Sequence, residues 1–135
     1  MTYWNDSLLV GIPQIDGQHR KLVDAIDRLM NACTEGKSKI EIGKALNIAA
    51  DIAKEHIRDE ENLQERYSYP GINAHKRLHA QFVLTINGLI KEYERTGPNV
   101  AMTSKLNKAL VQWLLDHFGA EDKKVGIHIQ KATAG

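Results

Sequence analysis

The sequence predicts an all-α protein, an up-down-up-down four-helix bundle with a non-helical N-terminal arm. Along most of the chain, apolar residues recur at spacings of three and four, which is typical of amphipathic helices. The three prolines, at positions 13, 70 and 98, separate these periodic segments. A chain of 135 residues has the length of a single domain, so we expect residues 1–135 to form one.

Residues 1–15, which include Trp4, lack helical periodicity, and we expect them to form the arm that packs on the bundle. The first helix is predicted at about 16–35, because the apolar repeat continues through Cys33 and Gly36 then provides a stop signal.

The second helix is predicted at about 40–67 and ends before the run SYPG, where Pro70 disfavours helix at the preceding residue. The third helix follows at about 74–95 and is closed by the run TGPN. The fourth is predicted at about 100–124, and the weakly periodic tail continues to residue 135.

Charge and cysteine content narrow the function classes. The formal net charge of +1 gives no electrostatic reason to expect binding to nucleic acid or to an anionic membrane. Cys33 is the only cysteine, which excludes an intramolecular disulfide, fits a reducing compartment and suggests an inert core thiol. The first residues do not resemble a signal peptide, and no apolar run approaches the ~20 residues of a membrane span. We expect a soluble, cytoplasmic monomer.

Polar residues interrupt the apolar face of every predicted helix. They are His19 in the first helix, His56 and Glu60 in the second, His75 and His79 in the third, and His117 in the fourth. A lone histidine on such a face is more often a hydrogen-bonded core residue, and a lone glutamate is more often solvated. Burying five imidazoles and a carboxylate together would carry a large desolvation cost, which metal coordination removes. The joint pattern therefore favours a metal site inside the bundle.

The ligand types limit the metal without identifying it. At least six candidate ligands, with no thiolate among them, are more natural for two ions than for one. Imidazole suits iron, copper, zinc or nickel, whereas carboxylates favour harder ions. The Glu-x-x-His motifs of ferritin-like di-iron proteins are not present in the candidate set.

The pattern as a whole resembles the hemerythrin family, in particular its single-domain bacterial members, the bacteriohemerythrins. The motifs that carry the resemblance are Trp4, Ile15-Asp16-x-Gln18-His19, His56-x-x-x-Glu60-Glu61, His75-x-x-x-His79 and Trp113-Leu114-x-x-His117-x-x-x-x-Asp122. Each motif is weak alone, but their shared order and spacing over nearly the whole chain are specific.

The resemblance implies two non-haem iron ions bridged by an oxo or hydroxo group. One iron would be bound by His75, His79 and His117, and the other by His19 and His56, which leaves one position open for dioxygen. Glu60 and Asp122 would bridge the two ions. The implied function is reversible dioxygen binding for carriage, storage or delivery, without enzymatic turnover. The implied partners are dioxygen and a redox or oxygen-consuming protein.

Asp122 enters the ligand set only through the resemblance. Five residues after His117, it is about 140° away from that histidine around a regular helix, so periodicity alone suggests a solvated charge. To reach the centre, the helix must widen locally. The small residues Gly119 and Ala120 would permit this, for example through a π-type turn.

The sequence departs from the family at the dioxygen pocket, because Ile57 stands where a phenylalanine usually follows the second-helix histidine. We expect Ile57, Trp113 and Leu114 to form a dry shell around the centre, with an altered pocket shape. Glu61 is expected to be solvated or an outer hydrogen-bond partner, and His128 to lie at the surface. Two alternatives remain: sensing of oxygen or nitric oxide through a separate partner, and a peroxide-reducing di-iron enzyme.

Overall fold

The computed structural model describes residues 3–134; Met1, Thr2 and Gly135, at the ends of the predicted arm and domain, lie outside the described residues. The predicted all-α bundle is confirmed: four helical regions account for most of this part of the chain, which contains no strand. Helix α1 spans Pro13–Thr34, α2 spans Lys39–Arg66 and α3 spans Ile72–Thr96. Helices α1 and α2 pack together, as do α2 and α3.

The fourth helical region, which we call the C-terminal helix (residues 100–133), changes its hydrogen bonding along its length. It consists of α4 (Val100–Leu106), a π-helical segment (Asn107–Gln112), α5 (Trp113–His117), a second π-helical segment (Phe118–Asp122) and α6 (Lys123–Thr133). The predicted end at residue 124 is therefore wrong. The helix continues because Val125 and Ile129, one turn apart, are both buried.

Polar side chains cap the starts of two helices. The Ser38 side chain accepts a hydrogen bond from the Glu41 amide at 3.1 Å, which caps α2. Asn99 caps α4 in the same way, through the Met102 amide at 2.8 Å. Short connections between these helices favour packing of neighbours along the chain.

The N-terminal arm ends before residue 15 and is not wholly non-helical, in contrast to the prediction. Helix α1 begins at Pro13, because proline at the first helical position has a suitable φ and needs no hydrogen-bond partner for nitrogen. Within the arm, Asp6–Leu8 forms one 3-10 turn. The Asp16 carboxylate accepts hydrogen bonds from the amides of Val10 (2.7 Å) and Gly11 (3.2 Å), which ties the arm to the start of α1.

The core is divided into two clusters. The larger fills the space between the four helical regions, and the smaller joins the arm to α1, α2 and α6. The smaller cluster consists of Val10, Ile15, Leu63, Val125 and Ile129. Gly126 faces the Val10 carbonyl so closely that a Cβ there would collide with it, so the absent side chain allows the arm to cross α6. In residues 3–134, no helix is long and apolar enough to cross a membrane.

Candidate metal centre

The seven predicted ligands come together in the interior of the bundle. They lie on α1 (His19), α2 (His56, Glu60), α3 (His75, His79) and the C-terminal helix (His117, Asp122), and each is at most 6% exposed. Within α2 and α3 the paired residues are four apart, so each pair shares one helix face. All four helical regions therefore contribute to one buried polar cluster in an otherwise apolar core.

The imidazoles form two groups. In the three-histidine group, the Nε2 atom of His117 lies 2.8 Å from that of His75 and 3.1 Å from that of His79. In the two-histidine group, the Nε2 atoms of His19 and His56 are 3.0 Å apart. Each group also meets the two carboxylates, so the seven residues form two overlapping sets of potential metal ligands.

Both carboxylates lie between the groups and offer one oxygen to each. Asp122 Oδ1 is 3.0 Å from the Nε2 atoms of His75 and His117, while its Oδ2 is 2.9 Å from that of His19. Glu60 places Oε1 2.8 Å from His75 Nε2 and Oε2 3.3 Å from His56 Nε2. This arrangement suits two cations that share both carboxylates.

The residues fit metal ions on geometric grounds. The Nδ1–H group of His79 donates to Glu61 at 2.8 Å, which leaves the His79 Nε2 atom as an unprotonated lone pair that faces the cluster. Where the neighbouring imidazoles are also neutral, their nitrogen lone pairs about 3 Å apart repel each other unless a cation lies between them. That spacing is the separation of neighbouring ligands around an octahedral ion with bonds of about 2.1 Å. Both Asp122 oxygens and Glu60 Oε2 are also buried without hydrogen bonds, as metal-binding oxygens would be.

The electrostatics of the cluster favour positive charge. Without a bound metal ion, burial lowers the pKa of His56, but contacts with Asp122 and Glu60 outweigh burial and raise the pKa to about 9. The same balance raises the pKa of His75 to about 9. Burial dominates at His79 and lowers its pKa to about 3. Burial opposes ionisation of Asp122, yet the surrounding imidazoles hold its pKa well below the usual range. Two carboxylates thus attract protons or metal ions into the same space.

Three residues outside the predicted set hydrogen-bond to it. Glu61 accepts from His79, so of its two predicted roles the structure places it as an outer partner. Gln18 accepts from the Nδ1–H group of His56 at 2.7 Å, and Gln64 donates to Glu60 Oε1 at 3.2 Å. Sequence analysis assigned no role to Gln18 or Gln64. Gln18 adjoins His19 and belongs to a motif that carries the family resemblance, whereas the signal for Gln64 was its place one turn after Glu60.

Aromatic rings cover the two groups differently. Phe118 stacks on His19 with ring centroids 3.6 Å apart, and meets the edge of His56 at 5.9 Å. Trp113 stacks on His117 at 4.6 Å and on Phe82 at 4.2 Å. Phe118, which is fully buried, was missed because it directly follows His117 and falls off the regular helical face.

The other two residues of the predicted dry shell belong to the surrounding apolar core. Leu114 is buried in the large cluster, and Ile57 is partly buried against it. An aromatic ring over the two-histidine group is supplied by Phe118, from the C-terminal helix, instead of by position 57.

The second π-helical segment explains how Asp122 reaches the centre. Phe118–Asp122 has π-type hydrogen bonding, as the small residues Gly119 and Ala120 led us to expect. The wider turn brings Asp122 to the same side as His117, and its Oδ1 lies 3.0 Å from the Nε2 atom of that histidine. The expectation that the helix widens here is confirmed.

Two residues outside the centre differ from expectation. His128 is half-buried instead of lying at the surface, because its Nε2–H group donates to the Tyr67 carbonyl at 2.7 Å and so joins α6 to the end of α2. Cys33 is half-buried at the edge of the large core cluster instead of inside it. Burial raises the pKa of the Cys33 thiol, which keeps it protonated at neutral pH.

Fold and site together define a four-helix-bundle protein with a buried histidine and carboxylate metal site. The family described as the Hemerythrin HHE cation binding domain matches residues 10–126, and the chain belongs to the hemerythrin family. It is 31% identical to a bacteriohemerythrin of Stenotrophomonas maltophilia, over 89% of this chain and 76% of the relative. It is 30% identical to bacteriohemerythrins of Pseudomonas aeruginosa (88% and 75% covered) and Campylobacter jejuni (93% and 92%). Membership of this family together with the cluster supports iron as the metal.

Proposed function

We propose that this protein binds dioxygen reversibly at a di-iron centre, for oxygen carriage, storage or delivery. The observation that carries the proposal is the shared position of Glu60 and Asp122. Each presents one oxygen to the three-histidine group and the other to the two-histidine group. Glu60 and Asp122 would hold two irons together with an oxo or hydroxo group, and the two irons would supply the two electrons that dioxygen accepts on binding.

The unequal histidine groups indicate where dioxygen binds. His75, His79 and His117 provide three imidazoles to one iron, whereas His19 and His56 provide two to the other. The two-histidine group would leave its iron with fewer protein ligands, so that iron would accept the exogenous ligand. Phe118 lies against both imidazoles of the two-histidine group, and its apolar ring would exclude water from that position.

We further propose that the protein is a binding protein and not an enzyme. Reduction of bound oxygen requires a positioned acid that delivers protons. The rings of Phe118 and Trp113, which stack on His19 and His117, are not such acids, so this cover favours stable binding. In this proposal the chain acts as a cytoplasmic monomer that exchanges oxygen with a redox or oxygen-consuming protein. Its single cysteine suits a reducing compartment.

The proposal is tested by cycling oxygen over the iron-loaded protein. The protein is reduced anaerobically, exposed to air and then stripped with inert gas, while its visible absorption is followed. We expect an absorption band that appears with oxygen and disappears on stripping through several cycles. Metal analysis of the same sample should give two irons per chain.

Three results would contradict the proposal. Mostly zinc, or one iron per chain after expression with ample iron, would exclude a di-iron centre. Conversion to a stable ferric form on first exposure, with consumption of added peroxide in proportion to a reductant, would replace the carrier by the peroxide-reducing alternative. A protein that binds oxygen only with a regulatory partner present would favour the sensor.

A further inference from the structure

A hydrogen-bonded series of three side chains connects the protein surface to one candidate ligand. The Nε2–H group of Gln18 donates to Asp59 Oδ2 at 3.1 Å, and the Nδ1–H group of His56 donates to Gln18 Oε1 at 2.7 Å. Gln18 lies on α1, while Asp59 and His56 lie on α2. The series therefore joins the packed helices α1 and α2 next to the two-histidine group.

Asp59, at the outer end of this series, determines which group donates in each of these two hydrogen bonds. An ionised carboxylate can only accept, so Asp59 requires the amide nitrogen of Gln18 to face it. The amide oxygen must then face His56, and because this oxygen also only accepts, the proton of the neutral imidazole must be on Nδ1. In that neutral imidazole, which is the form that binds metal, the lone pair is on Nε2, the atom that faces His19 and the carboxylates.

Water could not set this direction. A cavity of about 70 Å³ is lined by the same three residues together with Lys21, Ile52 and Glu55. This volume exceeds the roughly 15 Å³ that one water needs. A water molecule both donates and accepts, so at His56 Nδ1 it would tolerate either tautomer. The Gln18 amide fills that position instead.

We propose that Asp59 and Gln18 are positioning residues that hold His56 in the tautomer with a metal-binding Nε2. The inference rests on the proposed metal centre and adds how its two-histidine side is prepared for metal. Asp59 acts through Gln18 and Gln18 acts through His56; neither touches the candidate metal position. The carboxylate of Asp59 thus orients the two hydrogen bonds without placing another charge among the candidate ligands.

The test measures Zn(II) binding, because Zn(II) is diamagnetic and requires no oxygen chemistry. Gln18→Met keeps the side-chain length and removes both hydrogen bonds. Asp59→Asn allows the Gln18 amide to turn over, since asparagine can donate as well as accept. By competition with a chelator, we expect the weaker Zn(II) site to lose about 10- to 100-fold in affinity in Gln18→Met, and less in Asp59→Asn.

A rescue variant separates direction from packing. In the double variant Gln18→Glu with Asp59→Asn, the new carboxylate accepts from His56 Nδ1–H and the new amide donates to that carboxylate. The direction is restored with the charge moved inward, so we expect Zn(II) affinity to return to within about threefold of the unsubstituted protein. In ¹⁵N-detected spectra of the Zn(II)-loaded protein, the His56 Nδ1–H proton should be protected from solvent in the double variant and exposed in Gln18→Met.

The matched control is Asp51→Asn, which removes an exposed carboxylate from α2 two turns earlier. It should bind Zn(II) as the unsubstituted protein does. Unchanged Zn(II) affinity and spectra in Gln18→Met would overturn the inference, as would a double variant no better than Gln18→Met. Failure of the unsubstituted protein to take up metal would instead overturn the proposed function, so the two failures are distinguishable.

Discussion

The two histidine groups share both carboxylates, but their surroundings differ. In the three-histidine group, His79 donates to the charged and partly exposed Glu61, and the half-buried Trp113 stacks on His117. In the two-histidine group, His56 donates to the neutral amide of Gln18. There the covering ring is Phe118, which is fully buried.

The difference indicates a division of tasks within one centre. A charged outer partner strengthens an imidazole as a ligand, so the three-histidine group is built to hold its metal. The two-histidine group has one imidazole fewer, a neutral partner and a fully buried apolar ring, which suits a metal that must accept and release a small ligand. The substitutions below test this division, beginning with the residue that serves both groups.

Substitution of Asp122 by alanine should have the largest effect. It removes one oxygen from each group, since Oδ1 faces His75 and His117 and Oδ2 faces His19. We expect less than one iron per chain by metal analysis. Because bound metal stabilises only the folded state, the melting temperature under iron-replete conditions should fall by about 10 °C.

Asp116→Ala is the control for Asp122→Ala, because Asp116 is an exposed carboxylate on the same helix, one residue before His117. It should retain the iron content and melting temperature of the unsubstituted protein. An Asp122→Ala variant that keeps both irons would show that the second π-helical segment does not supply a ligand. The two groups would then be joined by Glu60 alone.

Regular helices made most of this centre predictable. His56 and Glu60, and likewise His75 and His79, are four residues apart, so their faces follow from helical geometry. The apolar repeats gave α2 and α3 to within about two residues at each end. In α2 and α3 the position of a side chain around the helix follows from its spacing along the sequence, because the hydrogen-bond pattern does not change along these helices.

The C-terminal helix was less predictable because its hydrogen-bond pattern changes twice. A π-helical turn shifts every later side chain around the axis, so the roles of Asp122 and Phe118 cannot be derived from a period of 3.6. Asp122 required the family resemblance, and Phe118 was missed. The extension to Thr133 was missed for another reason: Val125 and Ile129 contact the arm, which has no periodicity of its own.

Removing the ring over each group should change the lifetime of the oxygenated form to different extents. Phe118→Leu uncovers His19, so we expect the oxygenated form to decay to the ferric state about tenfold faster, equal to ~1.4 kcal/mol of barrier. Trp113→Leu removes the ring stacked on His117, in the group where we propose that oxygen does not bind, and should change the decay rate less than about threefold. Both rates are measured from the loss of visible absorption in air. Equal acceleration in the two variants would mean that the rings do not distinguish the groups.

The smallest effect is expected for Glu61→Gln. The glutamine oxygen can still accept from His79 Nδ1–H, so only the charge of the outer partner is lost. The Glu61 side chain is 25% exposed, and solvent screens part of that charge. We therefore expect the affinity of the three-histidine group for iron to fall only about threefold, below the 10- to 100-fold typical when an outer partner is removed. Chelator competition measures the change, with Glu94→Gln as the control because Glu94 is exposed and lies about four turns after His79 on α3. A loss above tenfold in Glu61→Gln, with none in Glu94→Gln, would show that the three-histidine group depends on the charge itself. In that case the outer partners of the two groups would act differently. The charge of Glu61 would strengthen His79 as a metal ligand, whereas Gln18 would act on His56 only by fixing its tautomer.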